Sequence, residues 1–342
     1  MKYFERIDGL RALAVAAVMW SHYVPKEYHF GIPYGAFGVN LFFVISGFLI
    51  TGILHRAEAI PFSKTLNAFY LRRFLRIFPL YYFCLVFVTT LGWAEFSSGA
   101  LWHWLYASNW LFWFEGSWGG SVSHFWSLAV EEQFYLFWPI LFLFVGRRVG
   151  GVWVSISLVL LGILFRAVAL STPLGDSFHW DILTPACFES LGMGAVLSGI
   201  WQSMSFKRIG CALAFTSCAL CFQICPLQSS SSGSESIYQI FTLWSFMILW
   251  FLCRAKHTWA DVFFLNSVVR YLGMISYGLY IWHNFMGYPW GAMAEFFDFP
   301  DSIQFGLGGV IGKSLLTVVF SSATWYGFEK PLLKLKERFT YT

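Results

Sequence analysis

Charged side chains are scarce in this 342-residue chain. Asp, Glu, Lys and Arg together make up 12% of the residues, whereas an average soluble protein has about 25%. Apolar side chains make up 58%, and the mean hydropathy is +0.61. This balance excludes a disordered chain and argues against a soluble globular enzyme. Since a bilayer span needs about 20 mostly apolar residues, the chain has room for about ten spans.

Two other common signals are missing. The first apolar run is interrupted by Asp8 and Arg11 and is followed by no small-residue cleavage site. We therefore interpret it as a retained signal anchor and not as a cleavable secretory signal. The 7 cysteines cannot all pair with one another, and none of their spacings is typical of a metal site. We expect no bound metal ion.

The hydrophobic pattern predicts an all-α, polytopic membrane protein of about ten helices with no separate soluble domain. The predicted spans are residues 8–24, 36–55, 76–92, 126–145, 151–170, 182–201, 209–226, 237–253, 271–290 and 305–328. Residues 93–125 form the longest predicted outside loop and are rich in tryptophan, which favours the membrane interface. Within that loop we expect an interfacial or re-entrant helix at 100–114.

The positions of the positive charges predict the orientation of the chain. With the N-terminus placed in the cytoplasm, all 22 Lys and Arg residues except Lys26, Arg166 and Lys313 fall on the cytoplasmic side. The positive-inside rule describes such an imbalance. Both termini are therefore predicted to be cytoplasmic, and residues 56–76 form a basic inside segment.

A few ionisable residues lie within the predicted spans, where a charge is costly and indicates function by default. They are Arg11, His22, Glu131, Glu132, Arg166, Glu189, His283 and Lys313. Arg11 and His22 are about three helical turns apart and share a face. Because histidine acts as a base near neutral pH, the pair is a candidate catalytic site. The alternative is a snorkelling arginine and a core histidine bonded to a backbone carbonyl.

Three arginines, Arg72, Arg73 and Arg76, cluster at the inner end of the third predicted span. Arg73 and Arg76 are i,i+3 neighbours and so share a helix face. Guanidinium groups suit bidentate phosphate binding, and the cluster therefore predicts a phosphate site. The alternative is ordinary anchoring or contact with anionic lipids.

The fourth predicted span carries a candidate acid. Ser127 and Tyr135 lie four residues before and after Glu131 and share its helix face. A carboxylate here would orient a histidine, receive a proton or bind a sugar hydroxyl. The alternative is an ion pair between Glu131 and Arg166 or Lys313.

A second histidine, His283, occurs in a late span with Ser276 and Tyr280 on the same face. This arrangement makes His283 a candidate for binding a polar substrate. The alternative is a buried histidine that hydrogen-bonds to a hydroxyl group.

Six short motifs occur in order along the chain. They are Arg11 with His22, and residues 38–50, 73–82, 126–135, 276–283 and 328–331. Together they resemble the motifs of acyltransferase family 3. Members of that family are bacterial polytopic membrane proteins that transfer acyl groups, commonly acetyl, to extracytoplasmic or exported glycans and related hydroxyl acceptors. Asn40 stands where the family often carries aspartate.

The resemblance implies a single transmembrane acyltransferase domain over residues 1–342, in the stand-alone form without the C-terminal hydrolase-like domain of many relatives. It also implies a place in the bacterial cytoplasmic membrane and acyl-CoA, with acetyl-CoA expected, as the donor. The phosphates of that donor would bind to Arg72, Arg73 and Arg76.

The same resemblance implies roles for the other candidates. His22 would act as a general base or carry the acyl group itself. Arg11 would steer the donor, and Glu131 would orient His22 or hold the acceptor. The predicted substrate-binding residues are Ser127, Tyr135 and His283.

The expected partners are acyl-CoA, a glycan or other hydroxyl acceptor and the lipid bilayer. We expect no nucleic acid partner, and a homo-oligomer stays open. The chief alternative is a transporter or flippase for a glycan or lipid-linked substrate, since its crevice would also hold buried charges. Broken helices, which are typical of transporters, are not evident in the sequence. A membrane scaffold without chemistry does not explain the buried charges.

Overall fold

The computed structural model describes residues 5–93, 99–200, 231–254 and 260–339. Within these ranges the regular structure is helical and there is no strand. The predicted all-α class is therefore confirmed. The predicted span 209–226 lies outside the described residues.

Seventeen helices are numbered in chain order within the described ranges. They are α1 (Glu5–Tyr23), α2 (Tyr34–Arg56), α3 (Phe62–Thr90), α4 (Ala100–Trp104), α5 (Ser108–Glu115), α6 (Phe125–Leu141), α7 (Arg147–Val149), α8 (Gly151–Leu170), α9 (Phe188–Ile200), α10 (Ser231–Arg254), α11 (Asp261–Phe264), α12 (Ser267–Met274), α13 (Ser276–Trp282), α14 (Gly287–Phe296), α15 (Asp301–Gln304), α16 (Leu307–Thr324) and α17 (Lys330–Leu335). Residues 142–146 and 325–329 form π-helical turns that join α6 to α7 and α16 to α17.

Five helical segments among the described residues are long and apolar enough to cross a membrane. They are Tyr34–Arg56, Phe125–Val149, Gly151–Leu170, Ile237–Arg254 and Leu307–Leu335. Each coincides with one of the predicted spans, so the chain has the helices of a membrane protein. The count of ten spans and the orientation of the termini stay predictions.

Two predicted spans begin at different points in the structure. Helix α3 begins at Phe62, because the polar residues after Pro61 interrupt the hydrophobic pattern without breaking the helix. Residues 62–76 are therefore helical, and the basic cluster lies well inside α3. Before α9, residues 180–187 form 3₁₀ turns, and the α-helix begins only at Phe188.

The predicted span 271–290 is broken in the structure. Helix α12 ends at Met274, α13 ends at Trp282, and a 3₁₀ turn over His283–Phe285 precedes α14. Non-helical backbone at membrane depth is tolerated where protein surrounds it, and His283 and Phe285 are fully buried. The predicted helix at 100–114 is likewise two short helices, α4 and α5.

Helix α2 is the centre of the bundle and packs against α1, α6, α9 and α10. Its glycines permit this close packing. A Cβ atom at Gly47 would lie 1.9 Å from the carbonyl oxygen of Leu191, and one at Gly194 would lie 2.0 Å from that of Val44. Helices α2 and α9 are therefore in backbone contact, as is common where small residues line membrane helix interfaces.

Gly47→Ala is expected to destabilise the fold because its methyl group has no space against α9. Overpacking of this kind costs about 1–3 kcal/mol or more, so the melting temperature of the detergent-solubilised protein should fall by several degrees. The control is Gly291→Ala, since no atom lies within 4 Å of a Cβ at that position. Equal melting temperatures for the two variants would contradict the close contact.

Candidate functional site

Two cavities lie along α1, and each receives one ionisable side chain of that helix. Arg11 lines the cavity on the predicted cytoplasmic side, the inner cavity, and His22 lines the other, the outer cavity. Eleven residues of α-helix separate the two side chains by about 16 Å along the axis. The inner cavity has about 80 Å³ of free space and the outer cavity about 400 Å³.

Only a layer of side chains separates the two cavities. Val39, Phe43 and Tyr280 line both of them. The hydroxyl oxygen of Tyr280 lies 2.5 Å from that of Ser127, which lines the inner cavity. We call Val39, Phe43 and Tyr280 the partition.

A chain of polar contacts holds the acid of the inner cavity. Arg73 lies over the ring of Tyr135, with 5.2 Å between the guanidinium carbon and the ring centroid. The Tyr135 hydroxyl donates to Ser46 Oγ at 2.9 Å, and Ser46 donates to Oε1 of Glu131 at 2.5 Å. The structure therefore brings together Arg73, Glu131 and Tyr135, of which Glu131 and Tyr135 were predicted to share a helix face. Glu131 lies on the inner side of the partition and His22 on the outer side.

The alternative ion pairs for Glu131 do not form. Arg166 lies beside Glu189 instead, with 3.6 Å between Nε and Oε2. The ammonium group of Lys313 lies 5.1 Å from the ring centroid of Tyr23. The interpretation of Glu131 as the ion-pair partner of either cation is therefore wrong, and its acceptor role toward Ser46 replaces it.

The three predicted phosphate-binding arginines separate into two groups. Arg73 and Arg76 both line the inner cavity, as expected for i,i+3 neighbours. Arg72 instead donates to the backbone carbonyls of Lys336 at 3.2 Å and Phe339 at 2.8 Å. Arg72 therefore anchors the C-terminal segment, and it is not among the residues that line the inner cavity.

Lys336 is a further cation near Arg73 and Arg76. The sequence did not indicate a role for it in the site, because it could not be distinguished from the other positive charges on the predicted cytoplasmic side. Burial, together with the neighbouring guanidinium groups of Arg76 and Arg73, lowers the pKa of Lys336 to about 7. The mutual repulsion marks a concentration of positive charge. An anion bound there would relieve it and favour the charged form of Lys336.

His22 has an exposed ring in the wall of the outer cavity. His124 lines the same cavity. His283 is fully buried behind them. The centroid of its ring lies 4.9 Å from the ring centroid of His22 and 4.8 Å from the ring centroid of His124. The structure thus gathers three histidines, of which His283 lines neither the inner nor the outer cavity. His124 immediately precedes α6, and no periodicity in the sequence connects it to His22.

Asn40 has a structural role. Its Oδ1 accepts hydrogen bonds from Ser190 at 2.5 Å and from Thr242 at 3.0 Å, and its Nδ2 donates to the carbonyl of Ala36 at 3.0 Å. These bonds connect α2 to α9 and α10. The neutral amide of Asn40 makes all of these hydrogen bonds. The two hydroxyl groups therefore do not require the negative charge of the aspartate that the family often carries at this position.

The model of an acyltransferase domain matches residues 4–326 of the chain. The chain belongs to acyltransferase family 3. The resemblance carried by the six motifs is therefore confirmed, and five of them contribute lining residues to the two cavities of this acyltransferase domain. No solved structure matches the chain significantly.

Several curated relatives are similar to this acyltransferase domain. Peptidoglycan O-acetyltransferase OatA of Listeria monocytogenes is 31% identical over an alignment of 315 positions that covers 82% of this chain and 49% of the relative. A Bacillus subtilis protein, YrhL, with the provisional name peptidoglycan O-acetyltransferase, is 27% identical over an alignment of 363 positions that covers 97% of this chain and 55% of the relative. A Staphylococcus aureus protein, provisionally named an O-acetyltransferase, is 29% identical over 83% of this chain and 50% of its own length. The chain spans about half the length of these relatives.

The acyltransferase domain carries few further groups that sequence reasoning missed. Glu329 lies in the second π-helical turn, is buried and interacts electrostatically with Arg76. Ser46, the donor to Glu131, sits within the second motif but was assigned no role. No group of three or more His, Cys, Asp or Glu side chains in the described ranges is placed to hold a metal ion.

Proposed function

We propose that this chain is a membrane O-acyltransferase that moves an acetyl group from cytoplasmic acetyl-CoA to a hydroxyl of a glycan outside the cytoplasmic membrane of a bacterium. Membership in acyltransferase family 3 and the names of the relatives support acyl transfer to a cell-envelope glycan. The observation that carries the proposal is the pair of cavities that meet at the partition, with Arg11 on one side and His22 on the other.

The inner cavity suits the donor. Arg73 and Arg76 supply guanidinium groups for the phosphates of coenzyme A, and Lys336 lies near enough to interact electrostatically with both. The free space of about 80 Å³ is smaller than the roughly 300–1,000 Å³ that is usual for ligand pockets. Such a narrow space admits a thin chain such as the thioester arm, and not a sugar ring.

The outer cavity suits the acceptor. Its free space of about 400 Å³ lies in the range that is usual for small-molecule sites. Trp118 and Trp126 offer aromatic faces, and Arg166 and Asp181 offer polar groups. We propose that a sugar of the acceptor glycan lies here with one hydroxyl against His22.

The reaction joins the two cavities at the partition. His22 accepts the proton of the acceptor hydroxyl, and the oxygen attacks the carbonyl carbon of the thioester. The carbon–sulfur bond then breaks, and the leaving thiolate takes the proton from the His22 imidazolium. The products are an O-acetyl ester and free coenzyme A. In the variant in which His22 carries the acetyl group, a ring nitrogen first attacks the thioester carbon as the carbon–sulfur bond breaks, and the thiolate takes the proton that the ring releases. The acceptor oxygen then attacks the same carbon as the carbon–nitrogen bond breaks, and the proton of the acceptor hydroxyl returns to the ring.

The remaining candidates act on the donor side. We propose that Glu131, with Ser127 and Tyr135, forms the polar wall that the thioester arm meets in the inner cavity. Arg11 is positioned there by Asp8, with 3.3 Å between the guanidinium nitrogen and the carboxylate oxygen. Its positive charge would steer the anionic donor into the inner cavity.

A transporter or flippase is the second candidate, and the break between α12 and α14 favours it. Discontinuous helices at membrane depth are typical of transporter substrate sites. A transporter would move the glycan across the bilayer without consuming a thioester. The two functions therefore differ in whether coenzyme A is released.

Sealed membrane vesicles test the proposal and the orientation together. Inverted vesicles that contain the protein are loaded with a chitotetraose acceptor and receive acetyl-CoA, labelled in the acetyl group, from outside. We expect release of free coenzyme A and transfer of label to a base-labile ester inside. Right-side-out vesicles and vesicles without the protein are the controls. Acceptor movement without release of coenzyme A would favour the transporter.

A further inference from the structure

A buried histidine lies directly beside the ring of His22. The side chain of His283 has no exposed surface, and its ring is inclined at 70° to that of His22 with centroids 4.9 Å apart. Two aromatic rings at that separation are in contact. Since His283 lines neither the inner nor the outer cavity, it is placed to touch His22 and not a substrate.

The hydrogen bonds of His283 determine where its proton lies. Its Nδ1 is 2.6 Å from the carbonyl oxygen of Tyr280. A carbonyl only accepts, so Nδ1 carries the ring proton and Nε2 presents a lone pair. That Nε2 is buried and has no hydrogen-bond partner. Buried acceptors are normally satisfied, so this lone pair requires a donor.

His124, the other ring in contact with His283, does not supply the donor. Its Nε2 is 3.1 Å from the carbonyl of Ile281 and therefore carries the proton of the neutral ring. Its Nδ1 is a second buried acceptor without a partner. The remaining ring is that of His22, which in its neutral form has one N–H to donate.

Hydrogen bonds next to the two rings hold them at a fixed distance. Tyr23, the residue after His22, donates from its hydroxyl to the carbonyl of His283 at 2.5 Å. The same hydroxyl oxygen lies 2.7 Å from that of Thr317. These bonds connect the outer end of α1 to the 3₁₀ turn that carries His283, so the separation of the two rings is set by the fold.

We propose that His283 is a positioning residue whose Nε2 accepts the ring N–H of His22, so that the other ring nitrogen of His22 faces the outer cavity as a lone pair. This inference rests on the proposed catalytic role of His22. A hydrogen bond at one ring nitrogen of a catalytic histidine determines which nitrogen carries the proton and which way the other nitrogen faces. The bond to His283 has both effects on His22. In this proposal His283 orients His22, whereas the sequence predicted that it binds a substrate.

Two amide variants of equal polarity test the pair. The amide of His283→Gln reaches the position of Nε2 and retains an acceptor for His22, whereas that of His283→Asn is too short and serves only the Nδ1 side. We expect kcat for acetyl transfer to fall about 100-fold in His283→Asn, as expected for a misplaced catalytic group, and to recover to within about tenfold of wild type in His283→Gln. The KM for acetyl-CoA should stay unchanged in both. The control is His103→Asn, a buried histidine packed against Phe112 and Phe125.

Nitrogen NMR of the protein in nanodiscs, with ¹⁵N-labelled histidine, tests the hydrogen bond between His22 and His283 without an activity measurement. The His22 signals are assigned by their loss in His22→Gln. We expect one tautomer of His22 in the wild type and in His283→Gln, and a mixture in His283→Asn. A His22 spectrum that is the same in all three proteins would overturn the proposal. An active His22→Ala variant would instead overturn the proposed catalytic role of His22, and the spectra would still decide whether the rings are paired.

Discussion

His22→Ala is expected to lower kcat for acetyl transfer by about 100- to 10,000-fold, which is the usual contribution of a general acid–base group. The ring lies exposed in the wall of the outer cavity, so its removal deprives the core of little packing. The variant should therefore insert into the membrane, and its melting temperature should fall only by the few degrees that an unpaired Nε2 of His283 accounts for, about 1–3 kcal/mol. Labelled acetyl transfer and thermal melting of the same preparation measure the two properties.

The matched control for His22 is His29→Ala. His29 lies at the same end of α1, in the turn after Tyr23, and its Nε2 is 2.9 Å from the carbonyl of Val24. Because His29 lines neither the inner nor the outer cavity, its loss should leave kcat within about threefold of wild type. Near-normal activity of His22→Ala would remove His22 from the mechanism.

The same proteins separate the two forms of the mechanism. Without an acceptor, wild-type protein that carries the acetyl group on His22 accumulates label after brief exposure to labelled acetyl-CoA. A general base accumulates none. In either case His22→Ala stays unlabelled, which makes it the reference for non-specific labelling.

Hydropathy and charge predicted the helical class and the five long apolar helices, because both properties are local in the sequence. The shared face of Arg73 and Arg76 was predictable for the same reason, since i,i+3 spacing decides it. The break in the predicted span 271–290 was not, because the apolar character continues through His283 and only the surrounding helices make the bent backbone tolerable.

The partners of the candidate residues depend on contacts between distant parts of the chain. Ser46 and Glu131 are 85 residues apart, and spacing along one helix cannot relate them. Tyr23 and His283 are 260 residues apart. The two cavities arise from the same long-range packing, and with them the separation of Glu131 from His22. The motifs predicted the candidate residues, and tertiary contacts decide on which side of the partition each of them lies.

The second large effect is expected from Arg73→Ala combined with Arg76→Ala. Hydrogen bonds to charged groups contribute about 1.5–3 kcal/mol each, so loss of both guanidinium groups should raise the KM for acetyl-CoA by about 100-fold or more. The KM for the glycan acceptor should stay the same, because the acceptor lies beyond the partition. Initial-rate measurements at varied concentrations of each substrate distinguish the two constants.

Two single variants show whether the effect of the double variant on the KM for acetyl-CoA is specific to Arg73 and Arg76. Arg148→Ala removes an exposed cation that lies over the ring of Phe144, and it should leave the KM for acetyl-CoA unchanged if general surface charge is not responsible. Arg72→Ala releases the backbone carbonyls of Lys336 and Phe339, so it should lower stability more than donor affinity. A rise confined to the acceptor's KM in the double variant would show that Arg73 and Arg76 do not bind the donor. An equal rise from Arg148→Ala would reduce the site to long-range attraction, which salt screens.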